Sequence, residues 1–252
     1  MRIYGDGLVY LLVFDELDFS AIPTMNEDSI FCKDFELRDL QLWIYKSKTI
    51  AVAASSNVHK LPIILYVHGG GFCNGSRVWP NCHDGCLRLT SGSSVAVVAP
   101  DFGLLPEHRV PVIFDNVIRT DQGLRADFAL FRCGRTDRIG EELGQAVVEF
   151  GVPGLVLEAS IAGWRDERRP MGQSVRAFES MALDRILVIA GGTEMMKDRI
   201  DHHVKRLAKM GKVVEYRVFE GQRHDFFLNN SCSKTGGEVA QAIMRFIYAT
   251  SA

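Results

Sequence analysis
ILYVHGGGF, residues 64–72, is the end of an apolar run that stops abruptly at a histidine and three glycines. The whole run, LPIILYV at 61–67, is rich in branched residues and reads as a buried strand, so His68-Gly69-Gly70-Gly71 falls at its carboxyl edge. In open α/β sheets that edge is where ligands collect. Glycines there leave backbone N–H groups uncovered for something negative, either a phosphate or an oxyanion. The phosphate readings fail on spacing. A dinucleotide fingerprint begun at Gly69 would put Asn74 where glycine or alanine is needed, and no Gly-Lys-Ser/Thr follows for a P-loop.

The remaining runs extend the pattern. LQLWIY (40–45), SVAVVAP (94–100), FALFRC (128–133), GLVLEA (154–159), RILVIAGG (185–192) and VVEYRVF (213–219) read as short buried strands. Helical spacing is expected in three places: Ile139, Leu143, Val147 and Phe150; Ile200, Val204 and Leu207, closed by Gly211; and Val239, Ile243, Phe246 and Ile247. Alternation of this kind predicts an α/β fold with a mostly parallel sheet, with LVYLLVF (8–14) and LQLWIY as an antiparallel edge.

The 252 residues, 47% hydrophobic and without a linker-like tract, predict one domain over 1–252. Lys and Arg total 29 against 31 Asp and Glu, scattered along the chain, which argues against nucleic-acid or anionic-membrane partners and for a small, near-neutral molecule. No leader or spanning segment is visible, so a cytoplasmic location is the expectation. The six cysteines read as free thiols. Cys73, Cys82, His83 and Cys86 match no common zinc spacing, and neither a metal nor another cofactor is expected.

A strand followed by HGGG and phenylalanine has the form of the esterase and lipase oxyanion loop. VHGGGFCNGSRVWPNCH (67–83), VVAPDFGLLPEHRVP (97–111), ILVIAGGTEMMKDR (186–199) and VEYRVFEGQRHDFF (214–227) stand in the order and spacing of the plant carboxylesterases. The chain thus resembles that hormone-sensitive-lipase-like branch of the α/β hydrolases, which includes the gibberellin receptors. The resemblance implies an eight-stranded α/β-hydrolase fold, a Ser-His-Asp mechanism and small ester substrates. It places the oxyanion loop at His68, Gly69, Gly70 and Gly71, and the general base at His224.

Glu194, 30 residues before His224 and just past a strand, stands where relatives carry the orienting aspartate, and Asp198 is the fallback. Asp225 replaces the glycine that follows the family's histidine and brings a second negative charge near the ring. The nucleophile departs further. Where the family has Gly-Asp-Ser-Ala-Gly-Gly, residues 133–140 read CGRTDRIG, which puts Thr136 at the serine position and Arg138 where a glycine is needed. A β-branched residue is a poor occupant of the strained elbow. Ser160 is the rival nucleophile. WRDERRPMGQSVRAFESM (164–181) stands where relatives carry a longer cap, and the resemblance implies a reduced cap at the N-terminus as well.

Two functions fit these residues. One is an esterase-type hydrolase with His224, Glu194 and a compromised Thr136. The other is a non-catalytic member that binds a small ligand or has no function, by analogy with receptors that keep the serine and lose the histidine. The first predicts that Gly70, Gly71, Glu194 and His224 converge on one cleft.

Overall fold
A computed structural model describes residues 2–3, 9–10, 28–37, 40–48, 62–91, 93, 95–108, 116, 120, 146–150 and 185–249. Chain contacts divide the protein into two compact units, Met1–Leu143 and Gly144–Ala252.

In the first unit, β1 (Arg2–Ile3) pairs antiparallel with β2 (Val9–Tyr10). A separate four-stranded sheet contains β3 (Ile30–Leu37), β4 (Leu40–Ser47), β5 (Ile63–Leu65) and β6 (Ala96–Pro100), in the order β3-β4-β6-β5. β3 and β4 form an antiparallel hairpin, β4 runs antiparallel to β6, and β5 runs parallel to β6. The expectation that LQLWIY lies at an edge is corrected: β4 is internal and β3 covers it. β3 has no apolar signature in the sequence because IFCKDFEL carries Lys33, Asp34 and Glu36 on an exposed edge. Between β5 and β6 the helix α1 (Pro80–Thr90) starts with proline at its first turn and packs on β4 and β6, burying Cys82, Cys86, Leu87 and Leu89. Leu37, Leu42, Ile44 and Val98 form one core cluster, with Phe35, Ile63 and Leu65 against it.

The second unit is built on a parallel sheet of β7 (Ala146–Phe150), β8 (Arg185–Gly191) and β9 (Val213–Phe219), in that order. Here the sequence expectation of a helix through Val147 and Phe150 is overturned. So short a stretch satisfies either period, and AVVEF, with two adjacent β-branched valines, forms a ladder with β8 from Ala146↔Arg185 to Phe150↔Ile189. The other two expected helices are present. α2 (Lys197–Lys209) lays Ile200, Val204 and Leu207 on Ile186, Val188 and Ala190 of β8, and Gly211 (φ 79°) follows its end. Beyond the one-turn α3 (Phe226–Asn229), α4 (Lys234–Tyr248) is capped by the Ser233 hydroxyl, which accepts from Gly236 N–H at 3.0 Å. It buries Val239, Ile243, Phe246 and Ile247, and Arg185 of β8 lies over the Phe246 ring. β8 is buried from Ile186 to Gly191, as a strand covered on both faces must be.

Residues 128–133, 154–159 and 164–181, including two expected strands and the cap replacement, lie outside the described residues.

Candidate active site
The residues expected to form an oxyanion loop belong to the first unit. After β5 the chain bends sharply: Gly70 has φ 115°, Gly71 φ 62° and Phe72 φ 63°. A Cβ on Gly70 would sit 1.8 Å from the Asn74 carbonyl oxygen, so only glycine fits there. The Gly70 carbonyl accepts from Asn74 N–H (3.1 Å) and Cys73 N–H (3.3 Å), which closes the turn. Among the described residues, nothing accepts from the N–H groups of Gly69, Gly70 or Gly71. Such unspent donors on a turn held by its own carbonyls are what an oxyanion needs.

His68 supports this turn from below. Its side chain is 1% exposed, donates from Nδ1 to the Gly69 carbonyl (2.8 Å) and stacks on Phe102, with ring centres 4.2 Å apart. Nε2 lies 3.6 Å from Asp101 Oδ1. That carboxylate is already engaged: it accepts from Ser76 Oγ, from Arg77 N–H at 2.8 Å and from the Arg77 guanidinium, which reaches Asp34 at 3.1 Å and covers the Trp43 ring. Asp101, Arg77 and His68 thus anchor the loop from Gly69 to Arg77.

Burial pushes the His68 pKa down; the Gly69 bond and Asp101 oppose this, and Arg77 adds to it. A histidine with a depressed folded value binds fewer protons than the unfolded chain between that value and 6.5. Its stabilising contribution is therefore complete above 6.5 and is lost as pH falls through the depressed value. The difference in urea midpoint between wild type and His68→Gln is expected to narrow from about pH 7.5 to about pH 5. A difference that stays constant would show that the ring is not held neutral.

In the second unit β8 ends at Gly191 and the chain turns through Gly192, Thr193 and Glu194. The loop after β9 runs from Glu220 through Gly221 (φ 73°) to His224. These loops are stitched together. Thr193 donates to the Gln222 carbonyl through both N–H (2.9 Å) and hydroxyl (2.8 Å), and Gly192 N–H reaches the Phe219 carbonyl (2.8 Å). A Cβ on Gly191 would meet the Gln222 oxygen at 2.3 Å, so the glycine permits the contact.

The result is a short His–Glu pair. His224 Nδ1 lies 2.9 Å from both Glu194 oxygens. The Glu194 side chain is 4% exposed and the His224 ring 37%. An ionised carboxylate can only accept, so Nδ1 carries a proton and Nε2 is the basic nitrogen of the neutral ring. Glu194 is further fixed by Met196 N–H, which donates to Oε1 at 3.2 Å. Asp198, the fallback acid, sits in the first turn of α2, and no bond to His224 is formed by it. Asp225 Oδ2 stands 3.5 Å from Nε2.

Thr136 and Ser160 both lie outside the described residues. Among the described residues no group of three or more His, Cys, Asp or Glu could hold a metal ion, and Cys32, Cys73, Cys82, Cys86 and Cys232 are in no disulfide. No helix is long and apolar enough to cross a membrane among the described residues.

A family described as alpha/beta hydrolase fold matches residues 64–139 and 146–228, and the chain belongs to it. Within that family it is similar to plant enzymes. "Probable carboxylesterase 6" of Arabidopsis thaliana is 41% identical over 119 residues, which cover 46% of this chain and 34% of that protein. "2-hydroxyisoflavanone dehydratase" of Glycine max is 32% identical over 117 residues, 46% of this chain and 35% of that protein. The aligned segments thus span about a third of these relatives' length. Among solved structures, a bacterial heroin esterase (TM-score 0.67, 15% identity, 94% of this chain and 89% of that one) and an esterase of the bacterial hormone-sensitive lipase family (TM-score 0.65, 16% identity, 93% and 88%) share the fold.

Proposed function
We propose that the chain is a carboxylesterase-type hydrolase of small, apolar esters, with low turnover because its nucleophile elbow is altered. The observation that carries this reading is the His224–Glu194 pair, a basic ring nitrogen oriented by a buried carboxylate. In this reading His224 Nε2 takes the proton of the attacking hydroxyl and returns it to the leaving alcohol, while Glu194 holds the tautomer and stabilises the imidazolium. The N–H groups of Gly70 and Gly71 meet the developing oxyanion. Thr136 supplies the hydroxyl if acylation occurs, with Ser160 as its rival.

Hydrolysis of short p-nitrophenyl esters tests this. Turnover is expected to be slow, and His224→Ala or Glu194→Ala should bring it toward the buffer rate. Turnover indifferent to both would remove the hydrolase reading. Activity lost in Ser160→Ala but kept in Thr136→Ala would move the nucleophile to Ser160.

The dehydratase among the relatives favours a second reading. Eliminating water from a β-hydroxy ketone needs a base for the α-proton, donors for the enolate oxygen and a proton for the departing hydroxide, but no acyl-accepting serine. A chain with threonine in its elbow and an oriented histidine fits that demand. Formation of an enone from a β-hydroxy ketone, lost in His224→Ala while esters remain untouched, would favour it.

A further inference from the structure
Asp225 precedes α3, in the position of a helix cap, yet its side chain caps nothing. Its backbone is left-handed, φ 53°, a conformation that glycine adopts freely and aspartate only tolerates. The carboxylate turns instead to the His224 ring, and Nε2 is its one partner among the described residues. His224 is therefore bracketed, with Glu194 on Nδ1 at 2.9 Å and Asp225 on Nε2 at 3.5 Å.

We infer that Asp225 is a positioning residue that closes His224 from its second side, docking on the nitrogen that must accept a proton and holding the base in a guarded state. The inference rests on the proposed role of His224 as base. A lone pair on Nε2 facing an ionised oxygen is unfavourable, and one proton between the two turns the contact into an attraction. Burial raises the Asp225 carboxyl above the usual aspartate value, His224 opposes this and Glu194 adds to it. The base nitrogen has to leave Asp225 before it can take a proton from a hydroxyl or a carbon acid. This guard lies in the same chain segment as the base, independent of the elbow.

Reaction with diethyl pyrocarbonate reads this directly. An unprotonated ring nitrogen attacks one carbonyl, an N–C bond forms as ethyl carbonate leaves, and the proton lost from the ring's other N–H balances the decay of that anion to ethanol and carbon dioxide. The rate at His224 is followed by peptide mass spectrometry, with His202, exposed on α2, as the internal standard. Asp225→Gly, which suits the left-handed backbone, and Asp225→Ala are both expected to label His224 several-fold faster than wild type, with His202 unchanged. Wild-type labelling rates at His224 in both variants would overturn the inference. Faster labelling with no ester turnover in any variant would sustain the guard and count only against the hydrolase reading.

Discussion

Rebuilding residues 134–139 from GRTDRI to the family's GDSAGG is expected to raise ester hydrolysis by about a thousandfold. The changes are Arg135→Asp, Thr136→Ser, Asp137→Ala, Arg138→Gly and Ile139→Gly. They act on the element of the proposed machinery that departs furthest from the family's pattern. An elbow nucleophile works because a small residue holds a strained turn while glycines let strand and helix approach. Threonine brings a branched Cβ, and Arg138 stands in the sequence where the family's motif has a glycine. A missing triad member costs three or more orders of magnitude in such sites, so restoring it should return a comparable factor if the rest is intact. kcat/KM on a p-nitrophenyl ester is the measurement. His224→Ala in the rebuilt chain should remove most of the gain. A folded rebuild no more active than its parent would show that the elbow did not limit the chemistry, and would favour elimination or ligand binding.

The second large effect concerns the turn after β5. In the rebuilt protein Gly70→Ala is expected to lower kcat about a hundredfold or more, the loss typical of an oxyanion donor. Its Cβ would lie 1.8 Å from the Asn74 oxygen at a φ of 115°, so the turn must re-route and carry its N–H groups with it. Gly69→Ala is the control. A Cβ there meets nothing within 4 Å, and the residue needs no left-handed backbone, so that variant should stay within a few-fold of its parent. Equal losses in both would mean that general loop disturbance, and not donor placement, sets the effect.

The value of Gly70 shows what a motif can and cannot say. HGGG after an apolar run is legible as a donor loop, because only glycine tolerates such a turn. That His68 is its buried prop is not legible. The stacking on Phe102 and the Asp101–Arg77 anchor come from a segment some 25 residues further on and from β3, a strand whose charged residues concealed it. The helix expected through Val147 failed for a related reason. Two periods fit a short apolar run equally well, and pairing with β8 decides between them.

Charge, the glycine loop, the runs later seen as β8 and β9, and the helices α2 and α4 followed from the sequence alone, because strand and helix periods and glycine stereochemistry are local properties of the chain. The resemblance already puts Glu194 ahead of Asp198 as the acid, whereas the 2.9 Å approach of Glu194 to His224 across 30 residues was decided by tertiary structure. It depends on the close approach of two loops, permitted at Gly191 and held by Thr193 on the Gln222 carbonyl. The docking of Asp225 on Nε2 is of the same kind: sequence places a carboxylate beside the histidine, but only a left-handed φ turns it onto the ring. Which oxygen faces which nitrogen is set by backbone angles and by contacts between distant segments, and neither is written in local periodicity.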